Sequence, residues 1–68
     1  MDTRALAVFL SLAETLSFSR SGELLHMSVS DVSRTLQRLE DELGPPLLER
    51  NNRRVRLTGA GREFREYA

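Results

Sequence analysis

Cysteine and lysine are both missing from this chain of 68 residues, and histidine occurs once. Without cysteine there is no disulfide framework, no thiolate nucleophile and no zinc finger of the kind that needs sulfur ligands. A single histidine cannot build a histidine metal cage alone, so no metal or other cofactor is expected. No apolar run approaches the ~20 residues of a membrane span. The amino terminus also lacks a basic start followed by an apolar stretch, the mark of a secretory signal. A cytoplasmic protein with no membrane partner is the expectation. The length allows one small domain, which buries only about 60% of its unfolded surface and so needs an efficient core. With 29% charged and 40% hydrophobic residues, the chain reads as globular rather than as a disordered tail.

Net charge is lacking too: ten arginines face ten acids. That balance argues weakly against nucleic-acid binding, where a basic excess is usual. The distribution argues the other way. Residues 1–33 hold two arginines and four acids, a balance of minus two, whereas residues 34–68 hold eight and six, plus two. Arg50, Arg53, Arg54 and Arg56 cluster with no acid between them. An all-arginine basic set suits bidentate binding of phosphate and guanine, although genome base composition explains it equally well.

The chain has no repeat, no low-complexity segment and no internal linker. Its punctuation is Gly44-Pro45-Pro46, Asn51-Asn52 and Gly59-Ala60-Gly61. From Asp2 to Leu16, the spacing of Leu6, Phe9, Leu10 and Ala13, widened by Val8 and Leu12, predicts an amphipathic helix capped by Asp2 or Thr3. A short helix from Phe18 to about Leu25 follows. Gly22 inside it costs ~1 kcal/mol against alanine, which is easier to explain if another helix crosses at Ser21-Gly22. After the turn His26-Met27-Ser28, Ser28 and Asp31 form a capping-box pattern, and Met27 with Val32 a hydrophobic staple. The third helix then carries Val32, Leu36, Leu39 and Leu43 on one stripe. At ~100° per residue, Ser30, Arg34, Gln37 and Asp41 point away from it, with Ser33 and Arg38 on the flanks. Gly44 and the prolines stop the helix. Leu47–Arg50 and Arg53–Leu57 read as a β-hairpin around the asparagines. Thr58 caps a last helix with Ala60, Phe64, Tyr67 and Ala68 on one face. That apolar stripe is still running at the end, as in a piece of something longer.

Several conspicuous residues have plain structural readings. Glu40, Asp41 and Glu42 are consecutive on a helix, point in three directions, and read as a solvated helix end rather than a metal cluster. His26 ends a short helix, where a capping role is the default. Gly59-Ala60-Gly61 lacks the strand and third glycine of a nucleotide loop. Phe9, Phe18 and Phe64 read as core. Arg50 divides evenly between DNA contact and a structural pairing with an acid. Arg34 can pair with Asp31 or contact DNA. No nucleophile–base pair with a third orienting group is present, so an enzyme is not expected.

Helix, short helix, tight turn, long helix, basic hairpin is the order of a winged helix-turn-helix, a mainly α fold. The major groove is ~12 Å wide and admits one helix, whose first residues face the base edges while the preceding helix braces it. The acids of the third helix lie at its far end. An arginine-rich hairpin suits an adjacent phosphate backbone or minor groove. A small helical protein-interaction module without DNA binding is the alternative.

The fragments Leu6, Phe9, Ala13-Glu14, Ser17-Phe18, His26-Met27-Ser28, Val32-Ser33-Arg34 and Leu39-Glu40 to Leu43-Gly44 fall at a family spacing. So do Pro46-Leu47-Leu48, Glu49-Arg50, Val55, Leu57-Thr58, Ala60 and Gly61. Along its whole length the chain resembles the N-terminal DNA-binding domain of the LysR-type transcriptional regulators. Met1-Asp2, Leu12-Ala13-Glu14, Arg20-Ser21 and Asn52-Arg53 are similar to one branch of them, activators of a branched-chain amino-acid isomeroreductase gene. The resemblance implies a winged domain over 1–58, with the helix-turn-helix at about 18–37 and the wing at about 47–57. Residues 59–68 would begin a linker helix through which the full-length protein forms a homodimer or tetramer. A small-molecule effector would bind only through a C-terminal domain absent from this chain.

Carried over by position, Val29, Ser30, Ser33 and Arg34 would meet bases and phosphates, and Arg53 would enter the minor groove. Ser28, Gln37, Arg38 and Arg54 complete the candidate set for double-stranded DNA. Four residues at three places depart from the family pattern. Val29 stands where glutamine or proline is common, so a hydrogen bond to a base is lost and a thymine methyl contact is the best it offers. Asp31 stands where a small neutral residue is common, and would repel phosphate unless engaged in the capping box. Ser21-Gly22 replaces a pair of alanines, which is expected to loosen the second helix. Ala60, Phe64 and Tyr67 are expected to cover the domain's own core, leaving little apolar surface for a partner.

Overall fold

Each helix begins at a side chain that accepts a backbone N–H three residues on, an arrangement that satisfies one of the donors every helix start leaves open. In the computed structural model, which describes residues 2–51 and 54–68, Asp2 starts α1 (Thr3–Thr15) by accepting from Ala5 N at 2.8 Å. Ser17 starts α2 (Phe18–Leu25) by accepting from Arg20 N at 3.1 Å. Ser28 starts α3 (Val29–Leu43) by accepting from Asp31 N at 3.1 Å. Thr58 starts α4 (Gly59–Tyr67) by accepting from Gly61 N at 3.0 Å. Between α3 and α4, β1 (Leu48–Arg50) and β2 (Val55–Leu57) pair antiparallel, Leu48 opposite Leu57 and Arg50 opposite Val55. Asn51 closes the hairpin, its side-chain oxygen accepting from Arg54 N at 2.7 Å.

The capping box is half formed. Ser28 does its part, but the Asp31 carboxylate pairs with Arg34 at 3.0 Å. Met27 packs against the cluster that contains Val32, as a staple should.

Val8, Phe9, Leu12, Val32, Leu36, Leu39, Leu47 and Leu48 form the centre of the core, with Ala5 and Ala13 at its edge. Ala5, Val8, Phe9, Leu12 and Ala13 therefore define the buried face of α1, a stripe rotated from the expected one: Leu10 is exposed and Leu6 half-buried. On α3 the stripe holds for Val32, Leu36 and Leu39, whereas Leu43 emerges at the helix end. Phe64 of α4 meets Phe9 edge to face, ring centroids 5.1 Å apart. Tyr67 does not follow it inward and is 90% exposed, so α4 keeps an apolar side chain on its surface.

Ser21 ties α2 to α1. It is fully buried, receives a hydrogen bond from Ser11 Oγ at 3.0 Å and shares another with Thr15 Oγ1 at 2.9 Å. The hydroxyl that replaces alanine thus adds a hydrogen-bonded link, contrary to the expected loosening. Gly22 makes room for something other than a crossing helix. A Cβ there would stand 2.6 Å from the Met27 carbonyl oxygen, because the turn after α2 folds back onto it. Met27 N donates to Gly22 O at 2.8 Å in the same reversal, and His26 turns it in the left-handed region, φ 57°.

Candidate nucleic-acid interface

Burial of Val32, Leu36 and Leu39 fixes which side of α3 faces outward. Ser28, Val29, Ser30, Arg34, Gln37 and Arg38 are exposed, and Ser33 is half-buried beside them. Six of the nine candidate contacts (Ser28, Val29, Ser30, Ser33, Arg34 and Gln37) thus share one helix surface, concentrated in its first two turns. Arg38 sits apart from the helix start. It lines a groove of about 450 Å³ against the beginning of α1 with Asp2, Arg4, Arg34 and Glu42.

The arginines of the second half occupy different environments. Arg34 pairs with Asp31, yet its side chain remains 71% exposed, and an ion pair so exposed is easily exchanged. Arg56 bonds Glu49 across the hairpin at 2.7 Å. Arg54 is exposed and borders a shallow depression with Ser17, Phe18 and Ser19 at the start of α2. Arg53, a candidate from the hairpin, lies outside the described residues.

Arg50 takes the structural role, with partners other than the acid expected for it. Its Nη1 donates to Ser33 Oγ at 3.0 Å, and its guanidinium carbon lies 4.6 Å from the centre of the Phe18 ring. One side chain therefore joins the hairpin to both helices of the helix-turn-helix. Phe18 is only half-buried and serves as the platform for that cation.

Glu40 is the residue the acidic run concealed. It is buried, 7% exposed, and its Oε2 accepts from Leu47 N at 2.7 Å and from Leu48 N at 3.3 Å. The carboxylate anchors the start of the hairpin to α3, so Glu40 is no part of a solvated helix end. Its position held the signal: four residues after Leu36 and eight after Val32, it falls on the apolar stripe. Thr58 completes the anchorage from the other side. Its hydroxyl donates to Pro46 O at 2.7 Å and its N–H to Leu47 O at 3.0 Å.

Among the described residues no group of histidine, cysteine, aspartate or glutamate is placed to hold a metal ion. No helix there is long and apolar enough to cross a membrane.

Residues 3–62 match the model for the bacterial regulatory helix-turn-helix protein, lysR family. The chain is 53% identical over 68 residues to the HTH-type transcriptional activator IlvY of Salmonella typhimurium, covering 100% of this chain and 23% of that protein. It is 50% identical over 66 residues to the HTH-type transcriptional regulator CatR of Pseudomonas putida, covering 97% of this chain and 22% of the regulator. The crystal structure of the BenM DNA-binding domain with catB site 1 DNA superposes with a TM-score of 0.92 at 39% identity, over 98% of this chain and 75% of that one. The CbnR DNA-binding domain in complex with DNA gives 0.93 at 39% identity, over 98% and 77%. The chain spans less than a quarter of the length of these curated relatives.

Proposed function

The chain belongs to the lysR family of bacterial regulatory helix-turn-helix proteins, and on that premise we propose that it binds double-stranded DNA sequence-specifically, as the DNA-reading part of a transcriptional regulator. In this reading α3 enters the major groove by its first two turns, α2 braces it, and the hairpin lies along the adjacent backbone. The observation that carries it is the exposure of Ser30, Arg34 and Gln37 on the face of α3 opposite its buried stripe, with the exposed Ser28 and Val29 at the helix start beside them. The likeness to domains solved in complex with DNA supports the same orientation. Residues 1–58 act as the winged domain, with the helix-turn-helix at about 18–37, the wing at about 47–57 and Arg53 at the minor groove. Residues 59–68 open a helix that joins two copies in the longer protein, whose effector would bind through a further domain.

Arg34 reads a base. Replacing it with alanine is expected to cost ~1–3 kcal/mol on the preferred site and to relax preference at one position of each half-site. Selection from a random duplex pool with both proteins, followed by titration of the recovered duplexes, measures both effects. An equal loss on every duplex would make Arg34 a phosphate contact, and no loss would remove it from the interface.

The arginines of the hairpin contribute charge. Arg54→Ala is expected to lower the slope of log affinity against log salt by ~1 per domain without altering sequence preference. Arg56, held by Glu49, is expected to lower it by less. An unchanged slope for both would place the hairpin off the DNA, as the protein-interaction alternative requires.

Sedimentation of the 68-residue chain tests the role of α4. A helix this short is marginal as a dimer interface, since isolated helices below ~12–15 residues are barely stable in water. A monomer or weak dimer is expected at micromolar concentration, and substitution of the exposed Tyr67 is expected to shift any residual association. A tight dimer insensitive to Tyr67 would put the interface elsewhere.

A further inference from the structure

Val29 is the first residue of α3 and is 49% exposed, an apolar side chain flanked by the exposed hydroxyls of Ser28 and Ser30. Val32, one turn on, is wholly buried, so the core is closed beneath the helix without Val29's outer surface. Several of the neighbouring polar groups already have partners within the domain, although Ser30 stays exposed. Ser28 Oγ accepts from Asp31 N, Ser33 Oγ accepts from Arg50, and the Asp31 carboxylate holds Arg34. At the tip of the helix a stiff, branched, apolar knob therefore stands where a reading residue would stand.

Building on the reading of α3 as the element that enters the major groove, we propose that Val29 is a specificity-determining residue that selects thymine through its C5 methyl group. Base edges in the major groove present donors and acceptors, and the thymine methyl is the apolar exception. Valine has no polar atom to pair with the amino group of cytosine or adenine or with the acceptors of guanine. Laid against any of these, it displaces water and leaves a polar group without a partner, which disfavours the wrong base. Against a thymine methyl, both surfaces leave water together. Selection at this position thus combines a modest attraction with rejection of the alternatives.

The test deletes the methyl group from the DNA. In a duplex recovered by selection, each thymine is replaced in turn by uracil, which pairs identically and lacks the C5 methyl, and affinity is measured across a series of salt concentrations. One thymine per half-site is expected to lose about fourfold in affinity on conversion to uracil, the effect of about one buried methyl. Val29→Ala is expected to abolish that thymine–uracil difference while leaving the salt slope unchanged, and Val29→Thr, which retains a methyl, to preserve part of it. Equal affinity for thymine and uracil at every position, with salt-dependent binding intact, would overturn the assignment of Val29 and leave the reading of α3 standing. A uracil effect that persists in Val29→Ala would assign the methyl contact to another residue and overturn it equally. Absence of salt-dependent binding to any duplex would defeat the reading of α3 and this inference with it.

Discussion

Gly61→Ala is expected to destabilise the domain by about 3 kcal/mol, even though alanine is the better helix former by ~1 kcal/mol. A Cβ at this position would run into the Leu47 carbonyl oxygen and would stand 3.1 Å from Leu57 Cδ2. The oxygen belongs to backbone that is fixed from several sides. Thr58 N donates to it, Thr58 Oγ1 holds the preceding carbonyl of Pro46, and Glu40 holds Leu47 N. The strain must therefore be relieved by α4, which lifts away and weakens the contact of Phe64 with Phe9. Thermal unfolding followed by circular dichroism measures the loss. Gly59→Ala supplies the opposite expectation, because nothing lies within 4 Å of a Cβ there; a neutral or slightly stabilising result, up to about 1 kcal/mol, is expected. If the two variants behave alike, the close approach of α4 to Leu47 is not a constraint on stability.

Glu40→Ala is expected to cost about 2–4 kcal/mol. The substitution leaves Leu47 N and Leu48 N buried without their shared acceptor, at roughly 1–3 kcal/mol for each unsatisfied group. Leu48 N makes the longer bond, 3.3 Å against 2.7 Å for Leu47 N, and contributes the smaller share. For a domain of this size each kcal/mol lowers the melting temperature by about 4–8 °C, so the effect is large on the scale of the whole stability. Glu40→Gln keeps an amide oxygen as acceptor and is expected to recover part of the loss. Asp41→Ala, one residue along on the exposed surface, is expected to stay within about 0.5 kcal/mol. Hydrogen exchange at Leu47 and Leu48 distinguishes a local effect on the hairpin from global unfolding. Protection unchanged in Glu40→Ala would show that the carboxylate is not what holds these amides.

The same two residues mark where the sequence is legible and where it is not. Helix boundaries could be read because local chemistry sets them: Ser17, Ser28 and Thr58 cap, Gly44 ends α3, and paired prolines forbid continuation. The hairpin could be read from the alternation of Arg54-Val55-Arg56-Leu57 and from the turn chemistry of asparagine. The outward face of α3 followed from the spacing of Val32, Leu36 and Leu39. Contacts between elements distant in the chain left no such local trace. Arg50 meets Phe18 and Ser33 through the tertiary fold, and only the fold brings 18, 33 and 50 together. On α1 the apolar residues span more than half the circumference, so periodicity alone could not choose between Leu10 and Ala5 as the buried edge. Tyr67 has the spacing of a core residue but sits at the last position of α4 and is exposed. Glu40 was hidden by its own charge: a carboxylate on an apolar stripe is read as solvated until the amides that it accepts from are seen.

In the proposed function a chain with no net charge binds DNA by sequence, because its charges are segregated and its reading helix is exposed. Fluorescence anisotropy of the 68-residue chain tests this most directly, with a duplex recovered by selection and a scrambled duplex of the same composition, each titrated across a salt series. Log affinity is expected to fall linearly with log salt for both duplexes, as phosphate contacts release counterions, with the selected duplex bound more tightly at every salt concentration. Affinity indifferent to salt, or equal for the two duplexes throughout the series, would contradict it.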